Sequence, residues 1–224
     1  MYPQVLLQNR KPDRIATLDE YRQSGGYQAL AEVLKKRTPK EVQKIVLDSN
    51  LLGRGGAGFP AGKKWMAVSD QAPFPRYLVT NIDEMEPGTF KDRILAHADP
   101  HMIIEGTILA AYAISAKKAF LFIRPSYETS ALIFEREVRI AREAGFLGKN
   151  ILGSGFSLEL VIHRSGGRYI CGENTSQLNA VEGIRANPRA VPPHPTENGL
   201  WTLPTVLNNV ETVACVPHIL RLGA

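Results

Sequence analysis

Four glycines fall within six positions in Gly53-Arg54-Gly55-Gly56-Ala57-Gly58, and the stretch continues as Phe59-Pro60-Ala61-Gly62-Lys63-Lys64-Trp65. Glycine loses more backbone freedom on folding than any other residue, so ordering such a run in a plain turn is costly. The pattern suits a loop whose amides must come very close to a ligand. A row of N–H groups leading into a helix start binds phosphate or a flat anionic ring system, and Arg54 and Lys64 add positive charge. The spacing is neither GxGxxG nor GxxxxGK[ST]. A flexible surface loop is the plainer reading, but Phe59, Pro60 and Trp65 are costly residues to expose in a mere linker.

A second segment, Asn81-Ile82-Asp83-Glu84-Met85-Glu86-Pro87-Gly88-Thr89-Phe90-Lys91-Asp92-Arg93, crowds three carboxylates into four positions. Their mutual repulsion is tolerated in an open loop, or where ribose hydroxyls, a carboxamide or ring N–H groups donate to them. Gly166-Gly167-Arg168-Tyr169-Ile170-Cys171-Gly172-Glu173-Asn174-Thr175 sets a glycine pair and an aromatic beside an acidic-amide turn. Pro204 to Thr212 carries the adjacent Asn208 and Asn209, which either cap a helix or contact phosphate.

The elements that must position these segments are legible from periodicity. Thr17-Leu18-Asp19-Glu20 and Thr38-Pro39-Lys40-Glu41 have the capping-box form, with Pro39 suited to a first helical position, and Tyr27 to Lys36 has helical spacing between them. A β/α alternation follows: a strand at Tyr77–Thr80, a helix at Met102–Ser115, a strand at Ala119–Ile123, a helix at Tyr127–Ala144 and a strand at Leu158–His163. This predicts an α/β fold, a mostly parallel sheet flanked by helices, with residues 1–50 as a helical extension and 51–224 as the α/β domain. Ligands of such sheets sit beyond the carboxyl ends of the strands, so the loops after Thr80, Ile123 and His163 are the places for a site.

Composition narrows the function classes. The 224 residues are 44% hydrophobic and 22% charged, and no apolar run approaches the ~20 residues that span a bilayer. The opening Met1 to Gln8 lacks the basic region and longer apolar stretch of an export signal, so a cytoplasmic protein is expected. Cys171 and Cys215 form no CxxC or Cys/His cluster, cannot alone hold zinc or an iron–sulfur cluster, and are expected as reduced thiols. The net charge of +5 is scattered, which suits phosphate ligands or a basic docking surface better than nucleic acid.

Taken together, Gly53–Trp65, Tyr77–Arg93, Leu147-Gly148-Lys149-Asn150, Tyr169–Glu173, Glu182–Pro193 and Asn208–Thr212 resemble the NADH-binding flavoprotein subunits of respiratory complex I, NAD-reducing hydrogenases and formate dehydrogenases. The resemblance implies a Rossmann-like α/β fold with non-covalently held FMN, and NADH stacked over the flavin as substrate. Carried over by position, it implies FMN contacts at Gly53, Arg54, Gly55, Gly56, Lys64, Asn81, Asp83, Glu84, Tyr169, Gly172, Glu173, Asn208 and Asn209. It implies that Phe59, Glu86 and Asn174 face the nicotinamide dinucleotide, with Glu86 at the nicotinamide end. No acid–base residue is needed, because hydride passes directly from nicotinamide to flavin.

The resemblance also implies single-electron transfer to iron–sulfur clusters on partners: a thioredoxin-like [2Fe–2S] subunit and a cluster-carrying subunit, at the inner face of the cell membrane. Relatives continue with a small β-grasp-like domain and a helical bundle holding a [4Fe–4S] cluster. That cluster is therefore expected on a missing carboxyl-terminal domain or a partner. Where relatives read Gly-Glu-Glu, this chain has Gly172-Glu173-Asn174; Ala67 and His194 stand where aromatic or bulky apolar residues are usual, and Val191 where a basic one is. Two alternatives follow: use of NADPH, whose 2′-phosphate the lost carboxylate would repel less, or a degenerate structural subunit that keeps the fold without oxidising a nicotinamide.

Overall fold

The computed structural model describes residues 4–224; Met1, Tyr2 and Pro3, the start of the stretch read as lacking an export signal, lie outside the described residues. Both capping boxes form. Thr17 caps α1 (Leu18–Gln23) and Thr38 caps α3 (Pro39–Asp48), each side chain accepting from the N–H of the Glu three residues on while the Glu carboxylate reaches back. Between them α2 covers Gln28–Lys36. It starts one residue after Tyr27, which takes a left-handed φ of 61° and so stands at the cap.

The remaining elements are α4 (Ala61–Met66), β1 (Tyr77–Ile82), α5 (Lys91–Ala98), α6 (Pro100–Ala113), β2 (Lys118–Ile123), α7 (Glu128–Glu143), β3 (Glu159–Arg164), α8 (Asn174–Val181), β4 (Thr205–Asn209) and α9 (Val210–Leu222). The four strands among the described residues are all parallel, in the order β3-β2-β1-β4. The expected strands and crossover helices are present within a few residues of their predicted ends. Periodicity does not predict β4: only Val206 and Leu207 read as apolar, and asparagine is depleted in strands. It forms because β1 offers it an open parallel edge.

One face of the sheet carries the larger core. Ile103, Ile104 and Ile108 of α6, Phe134 of α7 and Val213 of α9 pack there together with Leu30, Val33, Val42 and Val46 from the amino-terminal helices. Glu105 of α6 ties those helices down, accepting from the Tyr21 hydroxyl and from the Tyr27 and Leu30 N–H groups at 2.8 and 3.0 Å. The other face packs Val79, Phe122 and Leu207 under Leu178 and Val181 of α8. Among the described residues no helix is long and apolar enough to cross a membrane.

His218 of α9 titrates inside the larger core. Burial, with the charge of Arg221 added, pushes its imidazole down to about 4. Arg221 donates to its Nδ1 at 3.3 Å, and Nε2 lies 3.4 Å from Met102 Sδ, an arrangement suited to the neutral ring. In the unfolded chain the ring takes a proton near pH 6.5, whereas in the fold it resists until about 4. Protons therefore favour the unfolded state across that window. The thermal midpoint should fall as pH drops from about 6.5 toward 4, and His218→Gln should flatten that part of the profile in a scanning melt series.

Candidate functional site

The order β3-β2-β1-β4 makes the chain step one way from β1 to β2 and β3, and return for β4 on the other side of β1. The crevice outside the carboxyl ends of β1 and β4 is thus the switch point where parallel sheets bind ligands. Register sets asparagines there, with Thr80 opposite Asn208 and Asn81 opposite Asn209. The glycine loop closes over this seam. Gly53 N–H donates to the Phe59 carbonyl at 3.0 Å, and Arg54 N–H donates to Thr212 Oγ1 in the first turn of α9 at 2.9 Å.

Under the loop lie two adjoining clefts of about 490 and 260 Å³. Both are lined by Gly55, Asn81, Gly172, Glu173 and Asn209. Arg54, Gly56, Asp83, Glu84, Glu86 and Tyr169 line the larger one, and Gly53, Phe59, Lys64, Asn174 and Asn208 the smaller. Every residue expected to contact the flavin or the dinucleotide is therefore brought to one place. Ala67, Val191 and His194, the departures noted beside them, line neither cleft.

The carboxylates divide by what they do in the protein. Asp83 is buried, and neither of its oxygens has a hydrogen-bond partner of good geometry. Burial pushes its carboxyl up, with the Ser165 hydroxyl and the Arg124 charge opposing. Glu84 is instead committed to the protein. Its oxygens accept from the Asp92 and Arg93 N–H groups at 3.0 and 3.3 Å and from the Tyr127 hydroxyl at 2.9 Å, so it caps α5. Glu173 likewise caps α8 through the Thr175 and Ser176 N–H groups at 3.0 and 2.8 Å. Burial pushes the Glu173 carboxyl up, but these bonds outweigh it and hold it low. Glu86 is exposed at the rim, where the Tyr169 hydroxyl donates to it at 2.6 Å.

The cationic side is built on β4 and α9. Lys64 Nζ donates to the Leu207 carbonyl at 3.0 Å, and burial pushes its ammonium down. Trp65 Nε1 donates to Asn208 Oδ1 at 2.9 Å, fixing that carboxamide. Asn209 caps α9, accepting from Glu211 N–H at 3.0 Å, so the positive end of a 13-residue helix opens at the cleft. Of the two readings of the asparagines, the cap is the one found at Asn209, which also lines both clefts.

Some lining residues were not singled out from the sequence: Thr89, Lys91 and Asp92 in the larger cleft, and Gln177 and Thr212 in the smaller. Lys91 and Asp92 lay within the acidic segment, but nothing local separates them from solvated charges. Gln177 had no signal, since its burial depends on how α8 packs. Cys171 and Cys215 are free thiols; burial pushes Cys215 up to about 11.

The site suits a flavin nucleotide on three independent observations. Asp83 is a buried carboxylate whose oxygens have no hydrogen bond of good geometry among the described residues. A β-carbon built at Gly56 or Gly172 would meet no protein atom within 4 Å, leaving that space to a ligand. Lys64 and the α9 amino terminus supply an anion seat.

Known proteins point the same way. The F-type subunit of NADH-quinone oxidoreductase in Aquifex aeolicus (strain VF5) is 51% identical over 219 residues, 98% of this chain and 51% of the relative. The second F-type subunit of the same enzyme in Rhizobium meliloti (strain 1021) is 50% identical over 224 residues, 100% of this chain and 53% of the relative. The chain thus spans about half the length of the curated relatives it matches. An NAD+-reducing [NiFe]-hydrogenase in its H2-reduced state superimposes with a TM-score of 0.79 at 35% identity, covering 96% of this chain and 36% of the other. Residues 46–218 match the family described as the Nuo51 FMN-binding domain, and the chain belongs to that family.

Proposed function

We propose that this chain holds FMN across the two adjoining clefts and presents it to NADH, as the electron-input unit of an NADH dehydrogenase. The observation that carries the reading is the Asp83 carboxyl, buried with no well-formed hydrogen bond among the described residues, beneath a loop whose Gly56 leaves the cleft open. Bound flavin supplies a hydride acceptor that can pass electrons on one at a time. Everything else is alignment and electrostatics from the protein. The Gly53 and Arg54 N–H groups fix the loop by bonding Phe59 and Thr212, so the amides of Gly55 and Gly56, with the Arg54 side chain, Lys64, Asn208 and Asn209, seat the phosphate. Asp83 accepts from polar ligand hydrogens, while Glu84 and Glu173 hold the walls by capping α5 and α8. Tyr169 and Gly172 form the opposite wall.

The exposed Phe59 ring offers the dinucleotide a stacking surface, and Glu86 meets its nicotinamide end. In this reading residues 51–224 form the nucleotide-holding unit, and the described part of 1–50 buttresses it. The relatives' description as subunits supports assembly with partners, which we propose to be a thioredoxin-like [2Fe–2S] subunit and a subunit bearing a [4Fe–4S] cluster, at the cytoplasmic face of the membrane. Asn174, an exposed neutral side chain in the smaller cleft, favours one second reading, acceptance of NADPH beside NADH.

Anaerobic titration of the purified chain with NADH and then NADPH, followed at the flavin absorbance, tests the proposal. Bleaching by NADH is expected; flavin that neither nucleotide reduces would overturn it. Glu86→Gln should weaken nicotinamide binding about tenfold and leave FMN content unchanged, because Glu86 is exposed at the rim and, among the described residues, bonded to Tyr169 alone. Equal loss of flavin would place Glu86 in the flavin cradle instead.

A further inference from the structure

Asn209 lines both clefts and spends most of its carboxamide on the protein. Its Oδ1 accepts from Glu211 N–H at 3.0 Å and from Lys91 Nζ at 3.1 Å. Its Nδ2 donates to Asp92 Oδ2 at 2.7 Å. Turning the amide over would set its NH2 against an ammonium and an N–H, and its oxygen against a carboxylate, so only one orientation is tenable. An amide nitrogen carries two hydrogens, which leaves one N–H on a residue facing the clefts.

Lys91 has no donor to spare, although it too lines the larger cleft. An ammonium has three hydrogens, and three acceptors surround this one: Asp92 Oδ1 at 2.6 Å, Glu211 Oε2 at 3.0 Å and Asn209 Oδ1 at 3.1 Å. Asp92 is buried, its two oxygens are divided between Lys91 and Asn209, and its N–H is taken by Glu84. The adjacent opposite charges at the start of α5 thus face the acceptor and the donor of one amide at the start of α9.

We propose that Lys91 and Asp92 are positioning residues for the flavin nucleotide: they hold the Asn209 carboxamide in the one orientation that offers an N–H to a ligand oxygen, and they touch no ligand themselves. This rests on the FMN reading above.

The test is titration of the flavin-stripped 224-residue chain with FMN, read by quenching of flavin fluorescence. The set is wild type, Lys91→Met, Asp92→Asn, Asn209→Ala and the two double variants carrying Asn209→Ala. Each single variant should lose affinity about tenfold, because one oriented hydrogen bond is lost. Each double variant should bind no more weakly than Asn209→Ala alone, since residues acting through one group do not add. Visible circular dichroism of the bound flavin should change in the same sense in Lys91→Met and Asp92→Asn. Single variants that bind like wild type, or losses that add in the doubles, would overturn the inference. Should burial make Asp92→Asn unstable, the Lys91 pair carries the test alone, because that side chain is 40% exposed. A wild-type chain that takes up no FMN would remove the underlying reading as well, a result distinct from wild-type binding with unaffected variants.

Discussion

Replacing Gly56 with leucine is expected to yield a folded chain that purifies without colour. Gly56 lines the larger cleft with φ at +117°, and a β-carbon there meets no protein atom within 4 Å. The new side chain would stand in the volume assigned to FMN. The left-handed backbone adds roughly 1–2 kcal/mol of strain for any residue with a β-carbon, which an exposed loop absorbs without unfolding the sheet. Gly172→Leu separates the two effects: Gly172 also has free space at its β-carbon and lines both clefts, but its φ is not left-handed. Both variants should lose flavin by more than about a hundredfold in affinity, since a filled site cannot be vacated cheaply. Flavin content by absorbance, with far-ultraviolet circular dichroism for the fold, is the measurement. A fully flavinated Gly172→Leu protein would refute the placement of the ligand.

The second large effect lies in the core. Gly106→Val should lower stability by at least about 3 kcal/mol, or roughly 6–12 °C in thermal midpoint for a chain of this size. Helix α6 meets α9 at Gly106, where a β-carbon would overlap the Val213 carbonyl oxygen, approach its carbon to 2.7 Å and touch Pro217. These are backbone and ring atoms that cannot step aside. Pro217 explains why that carbonyl is available. It stands four residues after Val213 and has no N–H to give, so the Val213 oxygen lacks its usual helical partner and lies against the glycine instead. Because the first turn of α9 carries Thr212 and is capped by Asn209, a displaced α9 should also weaken FMN binding. A melting curve and a flavin titration on the same sample read both. Lost flavin at an unchanged midpoint would mean that α9 is not held by this contact.

Much of the site was legible because its signals are local. A glycine run needs no tertiary context to announce backbone exposed to a ligand, and alternation of apolar strands with crossover helices restricts the sheet to the parallel kind. The capping boxes at Thr17 and Thr38 were readable for the same reason, since cap and partner lie three residues apart. The roles of individual charges were not readable, because they depend on distant partners. Glu84 and Asp83 are neighbours in sequence and alike in type, yet one caps α5 and bonds Tyr127 while the other is buried with no well-formed hydrogen bond among the described residues.

The sequence by itself determined the class of fold, the glycine-rich loop and the family. Those follow from residue types and their spacing along the chain. Only the tertiary structure decided that β4 pairs with β1, that Asn81 and Asn209 meet at the switch point, and that Lys91 and Asp92 converge on one carboxamide. Each of these joins residues more than a hundred positions apart, or depends on which strand takes an open edge. Such pairings are set by packing and hydrogen-bond completion across the whole core, and no local pattern encodes them.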